Sequence, residues 1–419
     1  MDLSFIAASI ECVSEQAGNP EGNPHAHVAG MPVIAVIGDG QLARMMQTAA
    51  IELGQSLRLL AGARDASAAQ VCADVVLGDY TKYEDLLKAV EGSTAVTFDH
   101  EHVPNEHLTA LIDAGYYVQP QPSALINAQD KLVMRERLSE LGAPVPRFAP
   151  IESAQDAHEF WTLTKGQVCL KARRGGYDGK GVWFPNDESE LTALVSDLIR
   201  RGVPLMAEEK VALTRELSVL VARTPSGEVA SWPLTESVQR NGVCAEAVAP
   251  APHISAELKQ RAEGLGEKIA TELGVTGVLA VELFAFNNAS GEEDIAVNEL
   301  AMRPHNTGHW TQDGSVTSQF EQHLRAVMDE PLGDTSVLAP VTVMANVLGA
   351  DEDPSMPMAE RAREVTRRFP RAKIHLYGKG HRPGRKIGHV NLTGEDVEAT
   401  RRDARLAAGF LVNAQWSEQ

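Results

Sequence analysis

The stretch "LKARRGGYDGKGVW", residues 170–183, places four glycines in a loop that follows an apolar, extended run. Glycine can take positive φ and lets the backbone approach a ligand closely. Four basic side chains lie around these glycines: Lys171, Arg173, Arg174 and Lys180. The loop follows a strand-like run, but it does not open a GK[ST] helix, so it is not a Walker A loop. The pattern predicts a hairpin-like loop that binds polyphosphate.

Composition limits the classes of protein to which the chain can belong. A length of 419 residues implies about two to four domains. A formal net charge of −19 argues against a nucleic-acid-binding protein, which needs a basic face to displace counterions. The four cysteines are scattered without a CxxC pair, which favours a reducing compartment, the cytoplasm, and no structural zinc. No apolar stretch approaches the ~20 residues of a membrane helix.

Residues 1–30 are predicted to form a disordered N-terminal extension. They contain four acidic residues and neither Lys nor Arg, whereas a secretory signal or a mitochondrial transit peptide needs basic residues. Glycine, proline and asparagine collect before Met31, which directly precedes the first convincing strand.

From Met31 the chain alternates strand-like and helix-like segments, which predicts a parallel sheet. The stretch "PVIAVIGDGQLARMMQTAAIELG", residues 32–54, indicates a strand, a glycine turn and a helix. The turn Gly38-Asp39-Gly40 would direct backbone N–H groups at an anion. It is an incomplete dinucleotide fingerprint, because the second strand ends without an acid at its tip. Phosphate binding and a simple tight connection are equally good interpretations.

Two strand-like segments carry acidic residues in apolar surroundings. Glu282 lies inside "GVLAVELFAF", and Asn298 and Glu299 follow "IAV" on the next segment. A carboxylate in an apolar strand is unfavourable unless it is paired or bound to a metal. Two such carboxylates on adjacent strands would suit Mg²⁺ bound to a triphosphate. Pairing with an arginine, such as Arg303, is an equally good alternative.

A basic segment near the C-terminus, "RAKIHLYGKGHRPGRKIGHVNL", occupies residues 371–392. Six Lys or Arg and no acidic residue lie between Arg371 and Lys386. The turn chemistry of "RPGRK" predicts a hairpin. In so acidic a chain this hairpin is a candidate site for a phosphorylated substrate, although a solvated basic surface is the usual alternative.

Four segments in this order resemble the ATP-grasp superfamily, and within it the ligases that carboxylate 5-aminoimidazole ribonucleotide in purine biosynthesis. They are "RRGGYDGKG", "NELAMRPHNTGHWT", "TSQFEQHLRA" and "RPGRKIGHVN". The resemblance implies an α/β protein in three parts. These are an N-terminal parallel α/β (pre-ATP-grasp) domain over 31–128, an ATP-grasp α+β domain over 129–333 with a mobile lid at about 145–210, and a small β-rich C-terminal domain over 334–419.

The resemblance also implies the roles of particular residues. ATP would contact Lys131, Lys171, Gly176, Tyr177, Asp178, Gly179, Lys180, Gly181, Val182, Glu208, Glu209, Lys210, Val211, Glu216, Asn298 and Glu299. Within this set the segment 208–211 would form the adenine hinge, and Glu216 would bind the ribose. Mg²⁺ would be held by Glu282 and Glu299, assisted by Asn298. Gln239 stands where an ATP-contacting histidine is common in the family, which leaves that contact in doubt.

The ribonucleotide is expected to lie across the N-terminal and C-terminal parts. Its contacts would come from Gln41, Leu42, Glu101, Asn306, Lys379, Arg385 and Lys386. The catalytic residues implied are Tyr177, Lys180, Arg303 and Asn306. The partners implied are two small molecules, 5-aminoimidazole ribonucleotide and hydrogencarbonate, and a second copy of the chain in a homodimer. Neither nucleic acid nor membrane is expected.

The implied reaction uses ATP and hydrogencarbonate and passes through carboxyphosphate. Phosphoryl transfer depends mostly on positioning and charge neutralisation, so a glycine loop, Lys171 and a carboxylate-held Mg²⁺ are suitable groups. Three alternatives remain at this stage. One is another ATP-grasp enzyme, such as a formate-dependent glycinamide ribonucleotide transformylase or a biotin carboxylase. The second is a nicotinamide-dependent oxidoreductase that uses the Gly38 turn. The third is a binding protein without turnover.

Overall fold

The computed structural model describes residues 22–23, 26–176, 180–240 and 242–417. Most of the predicted extension over 1–30 lies outside these ranges, as do Tyr177, Asp178 and Gly179 of the glycine loop. Within the extension, His27 Nε2 lies 2.5 Å from Asp74 Oδ2. Among the residues described, no helix combines the length and apolar character that a membrane span requires.

The N-terminal part folds around a parallel sheet, as the alternating pattern predicts. In the part of the chain that the structure describes, this sheet has four strands in the order β3–β2–β1–β4. The strands are β1 (Val33–Ile37), β2 (Ser56–Ala61), β3 (Asp74–Leu77) and β4 (Ala95–Phe98). The helices are α1 (Gln41–Glu52), α2 (Tyr83–Val90), α3 (Asn105–Asp113), α4 (Pro122–Gln129) and α5 (Lys131–Glu140).

Strand β1 is buried along its whole length because apolar groups cover both of its faces. Ala35 and Ile37 belong to one apolar cluster with Leu86 of α2, whereas Ile34 and Val36 belong to another with residues of α1. A continuous apolar run is therefore the expected sequence for this strand.

A small antiparallel sheet follows, with the order β5–β8–β6–β7 over the described residues. Its strands are β5 (Phe148–Ile151), β6 (Val168–Ala172), β7 (Val182–Trp183) and β8 (Leu205–Glu209). Helices α6 (Ala154–Leu163) and α7 (Glu188–Arg200) pack on it and share its separate apolar core. Lys171 of β6 pairs with Val182 of β7, so the glycine loop connects the two strands of a hairpin.

A large antiparallel sheet forms the centre of the molecule. Over the ranges described, its strands run in the order β14–β13–β9–β11–β12–β15–β17–β16, and β10 pairs with β9. The strands before the C-terminal region are β9 (Leu213–Arg223), β10 (Val229–Ser231), β11 (Thr235–Arg240), β12 (Val243–Ala249), β13 (Gly277–Asn287) and β14 (Glu293–Ala301). The helices are α8 (Ala256–Glu272), α9 (Thr311–Gly314) and α10 (Gln319–Val327).

The C-terminal region extends this same sheet. It contributes β15 (Val341–Leu348), β16 (Lys373–Leu376) and β17 (Lys386–Gly394), with helices α11 (Met358–Arg368) and α12 (Val397–Asn413). Strand β15 pairs with β12, and β16 pairs antiparallel with β17, so the basic segment forms the hairpin predicted for it. The mixed α/β fold with an N-terminal parallel sheet is confirmed. Hydrogen bonding across β12 and β15 joins the C-terminal region to the central region.

Candidate active site

Two adjoining cavities lie between these parts of the molecule. The first, the small-sheet cavity, has a volume of about 910 Å³ and is lined mainly from β6, β8, β9, β13 and β14. The second, the N-terminal cavity, has a volume of about 800 Å³ and is lined from the start of α1, the loop after β4 and the chain after β14. Six residues line both cavities: Lys131, Glu282, Glu299, His305, Asn306 and Lys386.

A buried ion triad fixes one wall of the small-sheet cavity. Glu208 on β8 accepts a hydrogen bond from Arg135 Nε at 2.8 Å, and Lys171 Nζ lies 2.7 Å from its other carboxylate oxygen. Burial alone would raise the pKa of Glu208, but the charges of Lys171 and Arg135 hold it at about 2. Lys171 is therefore held at the wall of the cavity by a permanently ionised partner.

The segment 208–211, predicted as the adenine hinge, continues from β8 along this cavity. The Glu209 N–H donates to Arg147 O at 2.8 Å, and the Lys210 N–H donates to Gln167 O at 3.0 Å. The Lys210 ammonium lies 5.5 Å from the centre of the Phe184 ring. These hydrogen bonds attach the segment to the chain next to the small sheet, and its residues line the small-sheet cavity.

The two acidic strand residues meet where the cavities join. Glu282 of β13 lies opposite Glu299 of β14 in the antiparallel register, beside a bulge at Asn298 of β14. Asn298 Nδ2 donates to Glu282 Oε2 at 3.4 Å. Carboxylate and amide oxygens are suitable ligands for Mg²⁺, which is commonly bound by one or two carboxylates together with substrate phosphates. The residues present fit a metal of this kind.

The ion pairs of these carboxylates differ from the arginine alternative considered above. Glu282 Oε1 lies 3.0 Å from His305 Nε2, and Glu299 Oε1 accepts from Lys131 Nζ. Arg303 instead pairs with Glu101, at 2.8 Å. Burial raises the pKa of Glu282, yet the hydrogen bond and charge of His305 bring it below its usual value. Arg303 therefore pairs with neither Glu282 nor Glu299, and the alternative that it does is wrong.

Glu216 of β9 lines the small-sheet cavity near Glu282. Burial, followed by repulsion from the Glu282 carboxylate, raises the pKa of Glu216 to about 7. Gln239 lines the same cavity and hydrogen-bonds to Glu216, which works against this increase in the pKa. Gln239, where the resemblance implies that a histidine is common, therefore faces the same opening as Glu216.

The described part of the glycine loop borders both cavities. Gly176 lines the N-terminal cavity, whereas Lys180 and Val182 line the small-sheet cavity. Gly181 has φ +73°, and a Cβ on Gly176 would lie 2.7 Å from the Lys180 carbonyl oxygen. The predicted contacts of Tyr177, Asp178 and Gly179 fall outside the described residues.

The base of this loop is anchored by Asp130, which the sequence did not single out. Asp130 Oδ2 lies 2.9 Å from both Arg173 Nη2 and Arg174 Nε, and Asp130 Oδ1 caps α5 by accepting from the Leu132 N–H at 3.1 Å. One carboxylate therefore links the loop to the helix that begins with Lys131.

In the N-terminal cavity, Glu101 and Arg303 form a pair from two distant parts of the chain. Glu101 Oε2 accepts from Arg303 Nε at 2.8 Å. Glu101 Oε1 is buried and has no hydrogen-bond partner among the described residues. Since buried polar atoms nearly always have partners, this oxygen is suited to receive a donor from a bound molecule.

The predicted ribonucleotide contacts Gln41, Leu42, Glu101, Asn306 and Lys386 all line this cavity. Lys379 reaches its edge, because Lys379 Nζ donates to Gln41 Oε1. Burial, followed by repulsion from Arg385, lowers the pKa of Lys379 to about 8. The basic hairpin therefore presents positive charge to the cavity and is more than a solvated surface.

At Gly40, the glycine turn after β1 fits the second of its two interpretations, a tight connection. The Gly40 N–H donates to Asp99 Oδ2 at 2.6 Å, so a carboxylate of the chain itself occupies that donor. A Cβ on Gly40 would lie 2.8 Å from the same oxygen, which explains the glycine. Burial and then repulsion from Asp39 raise the pKa of Asp99 to about 6, despite the Gly40 hydrogen bond.

Comparison with known proteins gives the class first. Family models match in order the ribonucleotide synthetase preATP-grasp domain (31–129), the ATP-grasp domain (136–320) and the phosphoribosylaminoimidazole carboxylase C-terminal domain (342–403). With the glycine hairpin and the paired carboxylates, these matches define an ATP-grasp ligase. A curated N5-carboxyaminoimidazole ribonucleotide synthase from Corynebacterium ammoniagenes is 86% identical over 406 residues, covering 97% of this chain and 98% of that protein. The chain belongs to the N5-carboxyaminoimidazole ribonucleotide synthase family.

Solved structures give the same result. An ADP complex of N5-carboxyaminoimidazole ribonucleotide synthetase has a TM-score of 0.81 and 33% identity, covering 90% of this chain and 96% of that chain. An Aspergillus clavatus N5-carboxyaminoimidazole synthase with ADP and 5-aminoimidazole ribonucleotide has a TM-score of 0.80 and 28% identity. The match covers 91% of this chain and 98% of that chain. Use of ATP is therefore part of the family to which this chain belongs.

Proposed function

We propose that the protein carboxylates 5-aminoimidazole ribonucleotide with ATP and hydrogencarbonate, as a step of de novo purine biosynthesis. The observation that carries this proposal is the set of six residues that line both cavities. A phosphoryl donor in the small-sheet cavity and a phosphorylated acceptor in the N-terminal cavity would meet at these residues. The names of the family members support this acceptor over that of a glycinamide ribonucleotide transformylase.

The reaction proceeds in two steps. An oxygen of hydrogencarbonate attacks the γ-phosphorus of ATP, which forms carboxyphosphate and releases ADP. The exocyclic amine of the ribonucleotide then attacks the carboxyl carbon. The new N–C bond forms as the C–O bond to phosphate breaks, and one amine proton passes to the released phosphate. Water would destroy carboxyphosphate, so both steps need an enclosed cavity.

The chain supplies positioning and charge for these steps. Lys171, held by Glu208, and Lys131, on the Glu299 carboxylate, neutralise charge on the phosphate oxygens. Arg303 and Asn306 border the acceptor cavity, where they orient carboxyphosphate and the amine. Lys180 is assigned to the same task from the glycine loop, together with Tyr177. Glu216 and the segment 208–211 bind the ribose and the adenine.

We further propose that Glu282 and Glu299, with Asn298, hold Mg²⁺ against the triphosphate. The direct pairing of the two carboxylates across β13 and β14 supports this assignment. When bound, the metal supplies positive charge to the phosphate oxygens. Glu299 would then exchange its contact with Lys131 for the metal, which frees that ammonium for a phosphate.

The domain divisions are also proposals, at 31–128, 129–333 and 334–419, with a lid at about 145–210 after an extension over 1–30. The separate apolar core of the small sheet supports a lid that moves as a unit. We infer a homodimer as well, supported by the exposed apolar side chains of Val316 and Leu338, which lie on neighbouring segments. The free, buried thiols of Cys72, Cys169 and Cys244 suit the reducing cytoplasm.

The test is release of ADP by the purified protein with ATP, Mg²⁺ and hydrogencarbonate. We expect release to depend on 5-aminoimidazole ribonucleotide and on hydrogencarbonate, and to stop when Mg²⁺ is chelated. Release that requires glycinamide ribonucleotide and formate instead would establish the alternative enzyme. No release with either acceptor would contradict the proposed function.

A further inference from the structure

The loop that carries Lys379 is attached to the N-terminal part of the chain by two side chains outside the cavities. Ser67 Oγ donates to the Tyr377 carbonyl oxygen at 2.6 Å. Gln70 Nε2 donates to the Gly378 carbonyl oxygen at 2.8 Å. These two carbonyl groups immediately precede Lys379, so the two donors support the backbone from which its side chain extends.

Arg44 braces both donors. Its Nη1 atom donates to the Ser67 carbonyl oxygen at 2.7 Å and to Gln70 Oε1 at 3.2 Å. Arg44 lies on α1, one helical turn after Gln41, whose side chain accepts from Lys379. The same helix therefore supports the base of the loop through Arg44 and meets the tip of the lysine through Gln41.

The attachment is too close for an ordinary residue at position 378. Gly378 has φ +65°, and a Cβ placed there would overlap Gln70 Oε1. The preceding residue, Tyr377, is buried in one apolar cluster with residues of α1, and its hydroxyl lies 2.7 Å from His389 Nδ1. The backbone before Lys379 is thus held by the hydrogen bonds from Ser67 and Gln70 and by the buried Tyr377 side chain.

We propose that Ser67 and Gln70 are positioning residues that hold Lys379 for the ribonucleotide, with Arg44 as their brace. This role rests on the proposed function and on the contact between Lys379 and the ribonucleotide that the family resemblance implies. A lysine on a fixed backbone loses less conformational freedom when it binds an anion, which favours affinity. The two donors act on substrate binding through Lys379, and they leave the ATP side unaffected.

The test compares two substrate titrations on wild-type protein and on S67A/Q70A. We expect the KM for 5-aminoimidazole ribonucleotide to rise about threefold to tenfold, the change that one or two lost hydrogen bonds produce. The KM for ATP and kcat should stay within about twofold. Q70A alone removes an exposed side chain, so it keeps the test informative if the double variant folds poorly. Q155A, at an exposed glutamine of α6, is the matched control and should behave as wild type.

A second measurement separates positioning from a general structural role. G378A should raise the ribonucleotide KM, because its Cβ displaces Gln70. In the Q70A background, G378A should raise the ribonucleotide KM by a smaller factor than it does in the wild-type background. The reason is that Q70A removes the side chain with which the new Cβ would overlap.

The outcomes are distinct. An unchanged ribonucleotide KM in S67A/Q70A would reject the positioning role. Equal increases for both substrates together with a lower Tm would show a purely structural contact and would also reject it. A wild-type protein that releases no ADP with the ribonucleotide would reject the proposed function itself, and with it this role.

Discussion

The two cavities hold charge in different ways. In the small-sheet cavity two carboxylates have cationic partners: Glu208 lies between Lys171 and Arg135, and Glu299 contacts Lys131. On the hairpin side of the N-terminal cavity, Lys386 lines the wall and Lys379 reaches the edge, within a segment from Arg371 to Lys386 that carries six Lys or Arg and no acid.

The pKa values record this difference. In the small-sheet cavity, neighbouring cations overcome burial and hold the pKa of Glu208 at about 2. Beside the N-terminal cavity, burial and a neighbouring cation lower the pKa of Lys379 to about 8. The first arrangement is neutralised before a ligand binds and contributes to the folded state. We expect a ligand phosphate to complete the second, so changes there should affect ribonucleotide binding more than stability.

The largest expected effect is that of E299Q. If Glu299 exchanges Lys131 for Mg²⁺, the neutral amide loses a metal ligand, and ADP release should fall at least about a thousandfold while the protein stays folded. E292Q, at an exposed position before the same strand, should release ADP like wild type. Turnover of E299Q close to the wild-type rate would show that Glu299 is not a metal ligand. It would also contradict the proposal that the residues lining both cavities act on ATP.

E208Q tests the statement that the small-sheet cavity is neutralised in advance. The amide leaves Arg135 and Lys171 buried without their carboxylate, so the free energy of unfolding should fall by about 3–5 kcal/mol. E209Q, at the next residue, loses only a partly exposed pair with Arg147 at 3.5 Å and should cost less than about 1 kcal/mol. Chemical denaturation measures both. Equal losses in the two variants would show that the triad does not stabilise the fold.

R385A tests the other half of the comparison. If Arg385 binds the substrate phosphate, as the resemblance implies, loss of that charge-assisted hydrogen bond should raise the ribonucleotide KM about tenfold. The KM for ATP should change much less, and so should the Tm. K373A removes an exposed cation from the same hairpin and is the matched control. A KM for ATP that rises while the ribonucleotide KM stays constant would place the hairpin at the nucleotide site.

Local sequence patterns predicted the elements well. The apolar run at Val33–Ile37, the glycine hairpin after β6 and the hairpin between β16 and β17 depend on periodicity and turn chemistry that a short window contains. The four resemblance segments also predicted the family, because they combine residues from distant parts of the chain in one order.

The missed residues depend on contacts between strands and loops far apart in the chain. Asp99 meets Gly40 because β4 lies parallel to β1, and the carboxyl ends of parallel strands share one edge. That edge could have been inferred from the βαβ pattern. The His305 partner of Glu282 could not, because it requires the path of the chain after β14. Asp130 was equally hidden, since its partners lie 43 and 44 residues away.

The smallest expected effect is a decline in ribonucleotide binding as the pH rises. Lys379 is charged below its pKa of about 8 and loses its proton as the pH rises through that value. Its attraction for the substrate phosphate is therefore present at pH 7 and declines above pH 8. Between pH 7 and 8.5 the charged fraction falls about fourfold, and kcat/KM for the ribonucleotide, which reports the free enzyme, should fall by up to that factor. The titration is repeated on K379R, because arginine stays charged over this range and should flatten the decline. The kcat/KM for ATP serves as the internal control and should not share the decline. A fall that persists in K379R would assign the titration to another group, and a fall shared by both substrates would contradict the separation of the two cavities.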